Sequence, residues 1–284
     1  MFVIIGFIVV AAAIILGFTI AGGNLILLLQ WAEFITIVGA AVGSLLIASP
    51  LSMLKKMAAE IPKAINPEHF SKQDYLELLK AFNDLFLVAQ RDGLLAIEKH
   101  IENPKESEIL SRNKKFINND FMTNFFCDTM KVMLSGGIPP HELESVIDTE
   151  IETFEIENKP IPGSLARVAD SLPGLGIVAA VLGIIVTMAS IDKGAEVVGH
   201  HVAAALVGTF LGVLLSYGFV NPLAANIEHN MENKIRIFET IKACIVSYAK
   251  GNPPIIAIEI ARRTIFTDER PTFSELENFV RGKS

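Results

Sequence analysis

Polar and apolar positions along this chain are segregated into long blocks rather than alternating residue by residue. Four stretches carry no Asp, Glu, Lys or Arg: residues 1–30, 34–54, 171–191 and 197–227. About 21 such residues make a helix about 31 Å long, the thickness of a bilayer's hydrocarbon core. The stretches therefore predict four membrane-spanning helices. Elsewhere the pattern becomes amphipathic. Leu76, Leu79, Phe82, Phe86 and Ala89 recur at helical spacing. They predict one helix over residues 72–101, stopped at Asn103-Pro104 and preceded by chain breaks at Pro62 and Pro67. A helical hairpin follows: residues 120–134, a turn from Gly136 to Pro140, then residues 141–158. Beyond Asn221-Pro222, an amphipathic helix to about residue 250 continues the fourth span. A short helix over residues 255–264 and a polar tail follow. The expected fold class is all-α, a polytopic membrane protein with four transmembrane helices and a large helical cytoplasmic domain.

Composition agrees with a membrane protein. Hydrophobic residues make up 51% of the chain and mean hydropathy is +0.46, both above the soluble norm. The first Lys or Arg is Lys55. The first stretch thus lacks a positive n-region, and its apolar part is too long for a signal peptide; it is read as a retained span. Basic residues set the orientation. Of 24 Lys and Arg, 14 lie in residues 51–170, nine in residues 223–284, and one, Lys193, in a connection between spans. The expected segments are residues 1–50 as spans one and two and 51–170 as a cytoplasmic helical domain. Residues 171–222 are expected as spans three and four, lining an ion path, and 223–284 as cytoplasmic helices. The N-terminus is expected outside and the C-terminus in the cytoplasm.

Charge and motifs exclude several classes. Net charge is −7, and no basic patch interleaved with aromatics occurs, so no nucleic-acid partner is expected. Cys127 and Cys244, far apart, read as reduced and buried thiols without metal-ligand spacing. His200 and His201 are adjacent, and neighbours on a helix point about 100° apart, so they read as an interfacial feature rather than a metal pair. With no P-loop, HExxH or GxSxG pattern, no catalytic residue, metal or cofactor is expected, and no enzyme activity.

The third stretch is unusual for a helix that only sits in lipid: it holds Pro173, Gly174, Gly176 and Gly183. Proline frees a carbonyl one turn back, and glycines let another helix approach. Gly39 with Gly43, and Gly208 with Gly212, form small-xxx-small pairs of the kind that pack helices closely. Pro222 mirrors Pro173 on the adjacent span. No Asp, Glu, Lys or Arg falls inside the four predicted spans, and His200 and His201 precede the apolar centre of the fourth, residues 202–220; the polar groups of the spans are Thr36, Ser44, Thr187, Ser190, Thr209, Ser216 and Tyr217. Ion pathways usually carry an ionisable group, so either the chain moves no ion or a partner subunit supplies the carboxylate. Glu77, Asp84, Arg91 and Glu98 recur every seven residues and form one polar stripe on the predicted helix, read by default as a solvated face. The seven acids of residues 141–158 repel one another and favour either solvent or a basic partner.

The whole chain resembles the flagellar stator family MotA, within the MotA/TolQ/ExbB group. The matching residues are Asp170-Ser-Leu-Pro-Gly-Leu-Gly in the third span and Val207-Gly-Thr-Phe-Leu-Gly in the fourth. Glu98-Lys-His-Ile-Glu-Asn-Pro and Asp268-Glu-Arg-Pro-Thr-Phe match in the cytoplasmic parts. The resemblance implies a homopentamer of this chain around a MotB-like subunit with one aspartate-bearing span and a peptidoglycan-binding domain. Protonation of that aspartate would shift contacts at Pro173 and Pro222 and turn the ring against the rotor switch protein FliG. It also implies Arg91 and Glu98 as rotor-interacting residues, which overturns the solvated-face default; Gln90 stands where relatives often carry a basic residue. Sodium-driven relatives carry threonine where this chain has Ala180, opposite the position of Thr209, so proton coupling is expected. An energiser of the ExbB/TolQ kind is disfavoured, since those chains have three spans. A passive membrane scaffold would not need Pro173.

Overall fold

The charge-free stretches become helices because backbone groups in lipid have no water to bond and must satisfy each other locally. The computed structural model describes residues 2–65, 67, 69–189 and 191–282, and every regular element among them is helical. In chain order they are α1 (Phe2–Ile20), α2 (Trp31–Ala48), α3 (Leu51–Ile65), α4 (Lys72–Asp92), α5 (Glu98–Glu102), α6 (Lys114–Asn118), α7 (Asp120–Leu134), α8 (Pro140–Asn158), α9 (Pro160–Met188), α10 (Ala195–Val213), α11 (Asn221–Ala249), α12 (Pro254–Thr264) and α13 (Phe273–Val280). A π-helical segment, Leu214–Val220, joins α10 to α11. The helices fall into two units, Met1–Glu68 with Asn158–Asn230, and His69–Glu157 with Met231–Ser284.

The first unit holds the four apolar helices, as expected from hydropathy. Their outward faces stay apolar and exposed, Ile177, Val181, Ile184 and Ile185 on α9 among them. A surface of this kind suits lipid or a neighbouring subunit. Inside, Ile37 and Ala41 of α2 meet Leu172 and Ala179 of α9.

Three boundaries differ from expectation. Residues 51–65 form a helix, α3, with Pro62 inside it rather than breaking the chain. The proline removes the bond to the Ala58 carbonyl, and the three residues beyond it keep helical backbone. The helix of the third span begins at Pro160, well before the charge-free stretch, because a proline at the first position needs no N–H donor. Pro173 therefore sits mid-helix, not near an end. The helix expected over residues 72–101 ends as α4 at Asp92, whereas the fourth span continues through the π segment into α11 as expected.

In the second unit, α4 supplies the core. Leu79, Phe82, Phe86 and Ala89 are buried as the spacing predicted, with Phe82 stacked on Phe126 at 4.4 Å and Phe86 on Tyr248 at 4.1 Å. Cys127 and Cys244 are free and buried in this core, and burial pushes the Cys127 thiol up to about 11. The hairpin of α7 and α8 lies where expected. The acidic face of α8 is partly matched from within the chain, Glu144 to Lys250 at 2.8 Å and Asp148 to Lys242 at 2.9 Å.

Both cytoplasmic motifs carry structural work. In Glu98-Lys-His-Ile-Glu-Asn-Pro, the buried His100 ring bonds the Ser107 hydroxyl at 2.8 Å, and Ser107 accepts from the Leu110 N–H at 3.1 Å. Burial, then the nearby Lys99, holds the His100 imidazole below its ordinary value, so the neutral ring is favoured there. Around Asp268-Glu-Arg-Pro-Thr-Phe, Arg262 donates to the Pro271 carbonyl and Arg270 to the Ile265 carbonyl, both at 2.8 Å. Thr272 and Glu275 form a capping box that starts α13. Glu259, nearly buried, is gripped by Arg262 and Arg263, and these bonds hold its carboxyl below the usual range.

Candidate functional site

The centre of the first unit is the crossing of α9 and α10. Here the glycines decide the distance. A Cβ built on Gly212 would lie 2.5 Å from the Leu172 carbonyl oxygen and 2.9 Å from the Gly176 Cα; one on Gly176 would lie 2.8 Å from the Gly208 oxygen. Only hydrogen fits at either position, so the two backbones touch. Gly183 is filled in the same way by Ala205. The Gly208–Gly212 pair is thus used as its spacing suggested, whereas Cβ positions on Gly39 and Gly43 meet nothing within 4 Å among the described residues.

Proline interrupts the backbone ladder in α9 and at the start of α11, just beyond the π segment that follows α10. Pro173 is half-buried in mid-α9 and cannot donate to the carbonyl of Ala169, itself fully enclosed. Pro222, exposed, cannot donate to Gly218. The helix answers there by widening: Leu214–Val220 is π-helical, and the Asn221 N–H reaches back five residues to Ser216. Sequence reasoning placed both prolines but missed the π segment, which depends on how the fourth span continues into α11.

Ala180 is buried, and Gly208 packs against its backbone; Thr209, one residue on, is half-buried, with its Cα against Gly176. Thr187 is buried, and its hydroxyl donates to the Gly183 carbonyl at 2.7 Å. Thr36 and Ser44 likewise bond their own helix, at 2.9 Å and 2.8 Å. Ser216, fully buried in the π segment, has a hydroxyl with no bond to the described residues. Tyr217 is exposed, and Ser190 lies outside the described residues.

One expectation is overturned: the apolar helices do contain an ionisable group. α2 begins at Trp31, three residues before the charge-free stretch, and so takes in Glu33. That side chain is 9% exposed, and its Oε2 has no hydrogen-bond partner among the described residues. The flanking Trp31 and Phe34, apolar partners on either side, are the signal that could have extended the span.

In the second unit, Arg91 and Glu98 are both exposed, but they do not share one helix. Gly93 adopts φ +90°, a conformation that glycine takes readily and other residues avoid. It ends α4, and Glu98 opens α5 after a 3-10 turn. The seven-residue stripe therefore stops at Arg91. That guanidinium forks onto Asp92, with Nη2 to Oδ2 at 2.7 Å, and exposed Leu87, Leu94 and Leu95 flank it. These leucines were not singled out by the sequence pattern.

The four apolar helices and their glycine-packed crossing define a helical multi-pass membrane protein. Residues 117–240 match the model of the MotA/TolQ/ExbB proton channel family, and residues 4–93 match that of the motility protein A N-terminal region. The chain is 37% identical over 282 residues to motility protein A of Salmonella typhimurium, covering 99% of this chain and 96% of that protein. It is 36% identical to the same protein of Escherichia coli, with the same coverage. It is also 36% identical to chemotaxis protein LafT of Vibrio parahaemolyticus, covering 97% of each. Among solved structures, the C. jejuni MotAB structure superposes with a TM-score of 0.80 at 19% identity over 95% of this chain and 98% of that one. The Bacillus subtilis MotAB stator complex gives 0.72 at 20% identity over 93% and 94%. The chain belongs to the motility protein A family. It is a multi-pass inner-membrane protein and a flagellar stator subunit of the proton channel family.

Proposed function

We propose that this chain assembles as a homopentamer in the lipid bilayer around a MotB-like, single-span, peptidoglycan-binding subunit, and that the ring drives FliG. The reading puts residues 51–170 and 223–284 in the cytoplasm and the N-terminus in the periplasm. Residues 171–222 line the ion path. Pro173, Pro222, Ala180 and Thr209 are its ion-path and gating residues. The observation that carries this is the α9–α10 pair. The two helices touch through glycine, so they move as one body, while Pro173 loosens the hydrogen-bond ladder of α9 and Pro222 that of the π segment leading from α10 into α11. Such a pair can shift register against a partner's carboxylate without unpacking. The exposed apolar faces of α1 and α9 support subunit and lipid contacts.

Ala180 offers no side-chain oxygen, and the Thr187 hydroxyl, though it keeps its lone pairs, is held by its own helix. A dehydrated sodium ion wants several oxygen ligands; a proton needs only a carboxylate and a water path. Swimming speed is therefore expected to be insensitive to exchanging external sodium for potassium and to fall when a protonophore collapses the gradient. Motility that rises with sodium and resists the protonophore would return the Thr187 hydroxyl to the list of ligands.

Arg91 and Glu98 form the rotor-interacting surface, with Leu87, Leu94 and Leu95 as its apolar part. Exposed pairs are worth about 0–1 kcal/mol to folding, so Arg91→Glu or Glu98→Lys should leave membrane abundance unchanged while impairing swimming. Because Gly93 separates the two, their defects should be independent rather than mutually compensating. Rescue by an opposite reversal on FliG is the decisive measurement, and wild-type swimming by both variants would remove the surface from the reading.

A further inference from the structure

A cavity of about 310 Å³ opens in the first unit between α2, α9 and α10, lined by Glu33, Thr36, His200, His201 and Gly183. That is well above the room a single water needs. Glu33 is the notable group. It is nine-tenths buried, and its enclosed Oε2 has no hydrogen-bond partner among the described residues. Its Cγ would lie 3.3 Å from a Cβ on Gly208, so the absent side chain of Gly208 is what admits it. Gly208 is also the residue packed against Ala180. The carboxyl group thus stands beside the α9–α10 crossing.

Burying a carboxylate in an apolar bundle is costly unless it is protonated, paired or wetted, and an ionisable group at that depth is a functional-site candidate by default. The cavity is large enough for water and is lined by two bases. His200 is exposed and His201 half-buried, both on α10. Histidine is the side chain whose ordinary titration falls in the physiological range. The titratable groups facing Glu33 are few. α10 brings His200 and His201, with exposed Glu196 one turn before His200; α9 brings none to the cavity.

We propose that this cavity is a proton-loading site, in which Glu33 takes protons delivered by His200 and His201 and hands them toward the channel. An imidazolium N–H breaks, its proton crosses cavity water, and an O–H forms on Glu33. The products are a neutral imidazole and a carboxylic acid, so the pair's total charge is unchanged. The imidazole then recovers a proton from bulk water at the periplasmic face. Which face that is rests on the orientation given under Proposed function.

The test uses the full stator complex in cells and in vesicles. Proton uptake and swimming speed are read while external pH is stepped across the histidine range with internal pH held constant. Glu33→Gln is expected to reduce uptake about tenfold or more, with partial rescue by Glu33→Asp. The double change His200→Gln, His201→Gln is expected to keep the motor assembled and flatten the external-pH dependence. Wild-type uptake and pH profile in Glu33→Gln would overturn the proposal. If that variant fails to assemble, an unaltered pH profile in the histidine double variant does the same. Labelling of Glu33→Cys by a membrane-impermeant thiol reagent separates the two readings. Reaction from outside supports the orientation, and reaction only from inside overturns it and the periplasmic delivery with it, leaving the stator assignment standing.

Discussion

Replacing Gly212 by valine is expected to remove folded protein from the membrane. The atoms that a side chain would meet are all backbone: the Leu172 oxygen at 2.5 Å, the Gly176 Cα at 2.9 Å and the Gly176 nitrogen at 3.1 Å. No rotamer can move aside, so α9 and α10 must separate. Overfilling a packed contact by single methylenes already costs about 1–3 kcal/mol, and valine adds three carbons. Helix association in lipid has little hydrophobic drive to compensate, since lipid tails are as apolar as side chains. Gly212→Ala should be weaker in the same direction. The measurement is membrane abundance and thermal stability of the purified full-length protein. Wild-type values for Gly212→Val would mean that the two helices are not in backbone contact.

Replacing Pro173 by alanine should do the opposite: leave folding intact and abolish function. The change restores an N–H that can bond the Ala169 carbonyl, closing the ladder in the middle of α9. Pro173 is only half-buried, so little packing volume is lost. Stability should hold or rise slightly, while torque and proton flow fall to a small fraction of normal. Swimming at wild-type speed by Pro173→Ala cells would exclude a gating role for this residue. Together the two variants separate the glycines, which hold the pair of helices together, from the proline, which lets one of them bend.

The number and nature of the spans were legible in the sequence. The cost of a charge in hydrocarbon is large and local, so hydropathy alone reveals a helix that must sit there. The core stripe of α4, the α7–α8 hairpin and the positions of Pro173 and Pro222 were legible for a similar reason, since each depends on residues within a turn or two. Gly93 was visible but ambiguous, because glycine inside an amphipathic pattern is tolerated as well as terminating; its positive φ split Arg91 from Glu98. Gly39–Gly43 and Gly208–Gly212 look alike as sequence, and only the tertiary structure decided that the second pair is in backbone contact within the chain. Glu33 is the clearest case. In the sequence it bounds a span, as a charge should. The structure draws it inside, because Gly208, distant along the chain, leaves a gap of the right size, and which side chain fills a gap is set by two helices at once rather than by the periodicity of either.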